Sequence, residues 1–185
     1  MTQTLPAEAE KRIEEIKKQY PDQKSAVMNA LYIAQEYFGY ISDEAVEWVA
    51  SRVDMPPVHV REVATFYTMY YKKPVGKYHF QICRTLSCAV CGATKLTKYL
   101  HDRFKVSPSE VTEDGMWSYE EVECLGSCGT APMIQINDIY FENLSVDKLA
   151  SIIDRIETEK PDLRYSTIKD EIGGGLNGCP KSEVI

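Results

Sequence analysis

The sequence lacks several features that would place the protein in a membrane, in a secretory pathway or on nucleic acid. No apolar run approaches the roughly 20 residues that cross a bilayer. The N-terminal stretch MTQTLPAEAEKRIEE is acidic and has no apolar core, so neither a secretory signal nor a transit peptide is expected. Only 21 Lys and Arg face 28 Asp and Glu, a formal charge of −7, which argues against nucleic acid as the main partner. We therefore expect a cytoplasmic, bacterial protein without membrane insertion.

Dinucleotide and histidine-based sites are missing as well. No Gly-rich dinucleotide fingerprint follows a predicted strand. The three histidines, His59, His79 and His101, are too scattered for a Rieske pair, and no Cys–His pattern supports nucleophilic catalysis. The candidate chemistry lies in six cysteines: Cys83, Cys88, Cys91, Cys124, Cys128 and Cys179. Disulfides are typical of small secreted domains, whereas two tight cysteine groups in a reducing compartment indicate metal or redox chemistry.

Residues 1–74 predict a helical bundle. Four apolar stripes recur at helical spacing, and the third and fourth carry Val46, Val49 and Val53, then Val60, Val63, Ala64 and Tyr67. Gly39 is predicted to end the second helix and Ser42 to cap the third, while Pro56-Pro57 marks the start of the fourth. Four short helices with tight connections are typical of a small bundle.

Residues 75–157 predict a small α/β sandwich, and the whole chain is therefore α+β. Alternating residues indicate strands that begin at Tyr78 and Trp117, and each strand ends at a cysteine. Between them, Ala89, Ala93, Leu96 and Leu100 predict one face of a helix. Asn137-Asp138 predicts a hairpin turn, and Ser145 predicts the cap of a last helix. Residues 158–185 lose periodicity and are predicted to form a flexible or docking tail.

Two cysteine groups, Cys83-x4-Cys88 and Cys124-x3-Cys128, would place four thiolates on two loops. Such a set suits zinc or an iron–sulfur cluster. Structural zinc sites usually use Cys-x2-Cys knuckles, and the wider spacings favour a cluster of two irons, which needs a ligand pair at each end. Gly126 and Gly129 are expected to let the backbone approach the cluster, with amides donating to thiolates and sulfides.

The position of Cys91 leaves alternative ligand sets open. Cys83-x4-Cys88-x2-Cys91 with a distant fourth cysteine matches the plant-type ferredoxin spacing. If the following helix has begun by Cys91, however, Cys91 shares a face with Lys95 and Lys98 and is expected to be solvated. The plant-type interpretation would also leave the Cys124–Cys128 pair half used. A thiol oxidoreductase using Cys88-x2-Cys91 would leave the other cysteines unexplained.

Four motifs in order resemble one protein family: VATFY at 63–67, PVG at 74–76, CRTLSC at 83–88 with Gly92, and ECLGSCGTAP at 123–132. The chain resembles the thioredoxin-like [2Fe–2S] ferredoxin family to which the E-type (24-kDa-type) component of respiratory NADH:quinone oxidoreductase, complex I, belongs. The resemblance covers roughly residues 8–157 and implies a helical bundle followed by a thioredoxin-like ferredoxin domain. It implies one [2Fe–2S] cluster per chain, held by Cys83, Cys88, Cys124 and Cys128. It gives no role to Cys91 or Cys179.

The resemblance also implies partners and a function. A flavoprotein subunit would bind FMN and NADH, and a larger iron–sulfur subunit would complete the NADH-oxidising module, peripheral to the inner face of the cell membrane. NADH delivers two electrons to flavin and a [2Fe–2S] cluster takes one, so this chain would accept, and briefly store, single electrons from FMN. The alternatives are an equivalent diaphorase subunit of an NAD-linked hydrogenase or formate dehydrogenase, a free-standing ferredoxin, and a zinc-stapled interaction module.

Overall fold

The computed structural model describes residues 6–163 and divides the chain into two compact units, Met1–Val75 and Gly76–Ile185. The units divide one residue after position 74, where the sequence pattern changes. Cys179 and residues 164–185 of the predicted tail lie outside the described residues. Within the described range, no helix has both the length and the apolar character needed to cross a membrane.

The first unit is the predicted bundle of four α-helices. Their bounds are Ala7–Lys17 (α1), Val27–Phe38 (α2), Asp43–Val53 (α3) and Pro57–Phe66 (α4), with a 3₁₀ turn at Gln23–Ala26. The predicted caps are present: Gly39 adopts a left-handed φ of 80°, and the Ser42 hydroxyl accepts a hydrogen bond from Ala45 N–H at 3.2 Å. Apolar faces of the helices meet in one buried cluster that includes Leu31, Val49 and Val60.

The second unit is built on a four-stranded mixed sheet. The elements are Tyr78–Cys83 (β1), Leu86–Val90 (α5), Ala93–Phe104 (α6), Trp117–Val122 (β2), Ile134–Ile136 (β3), Ile139–Phe141 (β4) and Val146–Glu159 (α7). The strand order is β2-β1-β3-β4, and only the β1–β2 pair is parallel. A parallel pair requires a crossover, which α5 and α6 supply. The predicted two-residue hairpin joins β3 to β4, with Asn137 at a φ of 52°.

Helices α6 and α7 share one buried cluster with the sheet. Leu96 and Leu100 of α6, and Leu149 and Ile153 of α7, are fully or almost fully buried. The Phe104 ring stacks on Trp117 with centroids 5.1 Å apart, which holds the end of α6 against the start of β2. The cysteine-bearing loops therefore follow strands whose positions are fixed by a packed core. The predicted α+β class is confirmed.

Three details differ from the sequence prediction. The helix after β1 is interrupted, because Gly92 adopts a φ of 103° and separates the short α5 from α6. Ala89, predicted to be on the buried face of one continuous helix, belongs to α5 and is exposed. The packed chain also continues beyond residue 157: α7 ends at Glu159, and Leu163 is buried in the core of the second unit.

Candidate metal centre

The two cysteine loops begin at the same edge of the sheet. Cys83 pairs with Val122 at the last position of the parallel ladder, and Arg84 N–H donates to Val122 O at 3.0 Å. The carboxyl ends of parallel strands meet at one edge, so the segments that leave β1 and β2 are neighbours from their first residue. Cys83 ends β1, and Cys124 follows two residues after β2 ends.

The two sulfurs of the second loop lie in contact. Cys83 and Cys88 are both buried, while Cys124 and Cys128 are exposed with sulfurs 3.6 Å apart. Two thiolates bound at about 2.3 Å to one tetrahedral metal lie about 3.8 Å apart, so the second pair is already spaced for one ion. The chain therefore offers one thiolate pair from each loop, which is the donor set that a two-iron cluster requires.

Backbone amides donate to the first-loop thiols. Burial raises the pKa of Cys83, but hydrogen bonds from the Thr85 hydroxyl and from Leu125 N–H outweigh it and lower the pKa overall. Burial raises the pKa of Cys88 to about 11, although Met133 N–H donates to its sulfur. The Leu125 amide comes from the second loop, so the second loop donates to a sulfur of the first.

The second-loop thiols have opposite pKa shifts. A hydrogen bond from Gly126 N–H, 3.4 Å from the sulfur, lowers the pKa of Cys124. A hydrogen bond with Cys124 raises the pKa of Cys128, because loss of the second proton would place two negative charges on adjacent sulfurs. The amide donation predicted for this loop is therefore present at Cys124. Gly126 has a φ of 85°, a left-handed conformation that glycine adopts without strain, so the backbone conformation explains why this residue is glycine.

Polar side chains from β4 and the residue after it fix the second loop. Glu142 accepts hydrogen bonds from the hydroxyls of Ser127 and Thr130, the latter at 2.6 Å, on either side of Cys128. The Tyr140 hydroxyl donates to Leu125 O at 3.0 Å. Sequence reasoning missed these residues, because nothing in the local pattern links Glu142 to a loop 15 positions earlier.

Cys91 belongs to neither of the two predicted cysteine pairs. It is exposed at the end of α5, where its N–H donates to Ser87 O at 3.0 Å. Its predicted exposure is confirmed, but the reason given for it was wrong, since Cys91 does not lie on the long helix. Over residues 6–163, no three His, Cys, Asp or Glu side chains converge on a single metal position. Cys91 therefore stays outside the proposed ligand set, which consists of the pairs Cys83–Cys88 and Cys124–Cys128.

Comparison with known proteins identifies the family. The family model of the thioredoxin-like [2Fe-2S] ferredoxins matches residues 13–157, well over half of the chain. The E subunit of the NADH-quinone oxidoreductase of Rickettsia conorii is 42% identical over 149 residues, which cover 79% of this chain and 89% of that protein. NADH-quinone oxidoreductase subunit 2 of Thermus thermophilus is 42% identical over 144 residues, covering 76% and 80%.

A solved structure shows the same fold. The NAD+-reducing [NiFe]-hydrogenase in the air-oxidized state matches with a TM-score of 0.65 at 20% identity. The match covers 77% of this chain but only 24% of the hydrogenase chain, so this chain corresponds to about a quarter of that protein. The chain belongs to the thioredoxin-like [2Fe–2S] ferredoxin family.

Proposed function

We propose that this chain is the electron-transfer iron–sulfur component of the NADH-oxidising part of an NADH:quinone oxidoreductase. The observation that carries the proposal is the pair of cysteine loops at one edge of the sheet, in a chain 42% identical over most of its length to the E subunit from Rickettsia conorii. Cys83, Cys88, Cys124 and Cys128 are the proposed cluster ligands. The hydrogenase comparison covers only a quarter of that chain at lower identity, so the oxidoreductase is favoured as the host complex.

When bound, a [2Fe–2S] cluster supplies a site that takes up one electron at a time. The residues of this chain set the properties of that site. Amides of Leu125, Met133 and Gly126 donate to three of the four sulfurs. Such donors stabilise added negative charge and so raise the reduction potential. Burial of Cys83 and Cys88 disfavours added negative charge and so lowers the reduction potential. The fold sets the balance between these two effects.

Partners are part of the proposal. The first partner is the flavoprotein subunit that binds FMN and NADH, and the second is the larger iron–sulfur subunit of the same complex. The complex would hold this chain at the inner face of a bacterial membrane without inserting it. Support comes from the exposed edge of the site: Cys124 and Cys128 are exposed, and Leu86 and Val90 on the neighbouring α5 are 80% and 78% exposed. Apolar side chains one turn apart are suited to bury against a partner.

The proposed function is tested by reduction in a two-subunit complex. The chain is purified anaerobically with the flavoprotein subunit, NADH is added, and the electron paramagnetic resonance signal of a reduced [2Fe–2S] cluster is recorded. The complex should give the signal, and the chain alone with NADH should not. A colourless preparation that contains zinc, or a coloured complex that NADH never reduces, would contradict the proposal.

The docking edge has its own test. Replacing Leu86 and Val90 together by Ser should weaken binding to the flavoprotein subunit about tenfold, as loss of a buried apolar anchor does. Val58→Ser is the matched control, because Val58 is 59% exposed on α4 and distant in sequence from the cysteine loops. Equal affinity of the double variant and the control would place the flavoprotein elsewhere.

A further inference from the structure

Thr85 occupies a helix cap that it does not use. It is the N-cap residue of α5, with the extended φ of −74° and ψ of 170° that a capping residue adopts. A threonine in this position usually accepts a hydrogen bond from the backbone two or three residues ahead. Its side chain makes no such bond here. The hydroxyl is therefore directed away from the helix that it begins.

The hydroxyl is directed to the first cysteine of the site. Thr85 Oγ1 lies 3.2 Å from Cys83 Sγ, and Thr85 N–H donates to the same sulfur. A single residue thus supplies both an amide and a hydroxyl to one proposed ligand.

Geometry also sets Thr85 apart from the other hydroxyls near the site. Ser127 and Thr130 bond to the carboxylate of Glu142, so they hold the loop in place. Of these three hydroxyls, that of Thr85 is the one hydrogen-bonded to a proposed ligand sulfur.

We propose that Thr85 is a positioning and potential-setting residue, whose hydroxyl donates to the Cys83 thiolate and stabilises the reduced state of the site. The inference rests on the four-thiolate site proposed above and goes beyond it, since the ligand set alone assigns no role to this side chain. Reduction adds one negative charge, and a hydrogen bond to a thiolate strengthens as the charge on sulfur grows. Removal of the hydroxyl should therefore penalise the reduced state more than the oxidised state and lower the midpoint potential.

The test compares two substitutions that separate shape from hydrogen bonding. Thr85→Val keeps the branched shape and removes the donor, whereas Thr85→Ser keeps the donor. The midpoint potential is measured by redox titration of the full-length chain, purified anaerobically with its cluster. In Thr85→Val, the ratio of reduced to oxidised cluster at the wild-type midpoint should fall about threefold to tenfold. That change corresponds to a potential lower by about 30 to 60 mV for a one-electron couple.

Two controls make the result specific. Thr85→Ser should have the wild-type potential, and so should Thr94→Val, which removes an exposed hydroxyl on α6. Thr85→Val should still fold and unfold as the wild-type chain does, with a melting temperature lowered only slightly, because it loses the hydroxyl contact with Cys83 but no capping bond. An unchanged potential in Thr85→Val, or an equal change in Thr94→Val, would overturn the inference while leaving the four-thiolate site intact. A wild-type chain that holds no iron–sulfur cluster would overturn the proposed function, and this inference with it.

Discussion

The two cysteine loops supply equivalent ligands, but the protein fixes them by different means. Cys83 and Cys88 are 2% and 1% exposed and belong to the core of the second unit. Cys124 and Cys128 are exposed on a loop that polar contacts with Tyr140 and Glu142 hold in place. The first pair is fixed by packing and the second by a few hydrogen bonds. We infer that the first loop is the more rigid of the two, and that the second loop, at the exposed edge of the site, is the more easily displaced.

The largest effect is expected where the sheet beneath both loops is disrupted. A Cβ on Gly76 would lie 2.5 Å from the backbone carbonyl carbon of Trp117 at the start of β2. Gly76→Ala should therefore lower the free energy of unfolding of the second unit by about 3 kcal/mol, because backbone must move to admit the methyl group. Gly129→Ala is the control, since nothing lies within 4 Å of its added Cβ. Urea denaturation measures both, and equal stabilities would contradict the close approach.

Loss of Glu142 should destabilise the second loop and leave the first loop unchanged. Glu142→Ala removes the carboxylate that accepts from both Ser127 and Thr130, which then bond to each other, and should cost about 1 to 3 kcal/mol of local stability. Hydrogen exchange should quicken at the second-loop amides and remain unchanged at Cys88 and its neighbours. Glu113→Ala, an exposed glutamate in the turn before β2, should alter neither loop. Equal protection of the second loop in wild type and Glu142→Ala would contradict the claim that hydrogen bonds to Glu142 hold this loop in place.

Removal of the Tyr140 hydroxyl should have a smaller effect on the same loop. Tyr140→Phe deletes the hydrogen bond to Leu125 O from a side chain that is 43% exposed. A loss of about 0.5 to 1 kcal/mol is expected, because water can replace part of the interaction. The iron–sulfur cluster should be lost to a chelator faster than in Tyr99→Phe, which removes a hydroxyl from α6. Identical rates of cluster loss in the two variants would show that the Tyr140 hydroxyl does not stabilise the second loop.

The smallest effect is expected at the ion pair that joins the loops on the surface. Arg84 and Glu123 flank Cys83 and Cys124, with Nη2 and Oε1 2.6 Å apart, and both side chains are exposed. Exposed pairs contribute little and are screened by salt. Arg84→Ala should therefore retain its cluster and the wild-type unfolding midpoint at high salt. Cluster loss in this variant would show that a surface contact, and not burial and amide donation, holds the loops together.

The sequence predicts the elements of both units better than it predicts the contacts around the sulfurs. The strand that ends at Cys83, the caps at Gly39, Ser42 and Ser145, and the Asn137 turn all leave local patterns, and the structure contains them. The second strand ends at Val122, two residues before the predicted Cys124. The break at Gly92 was missed because a helical stripe from Ala89 to Leu100 hides one residue with positive φ.

The side chains that support the site leave weaker signals. Thr85 could have been noticed as a cap between a strand and a short helix, but a cap residue whose hydroxyl bonds to the preceding cysteine leaves the same sequence pattern as an ordinary cap. Glu142 reaches its loop from the far side of a hairpin. Contacts of this kind depend on how the chain folds back, which residue spacing does not encode. The pairing of the cysteines could be proposed from their spacing because each pair lies within one loop.

The most direct test of the paired-loop account is the iron and acid-labile sulfide content of two cysteine variants. Cys91→Ser and Cys128→Ser each remove one exposed thiol from a different loop. Purified anaerobically, Cys91→Ser should retain the iron and sulfide content of wild type, and Cys128→Ser should lose most of it. The opposite result, with a full cluster in Cys128→Ser and none in Cys91→Ser, would contradict the account and assign the ligands to the plant-type spacing.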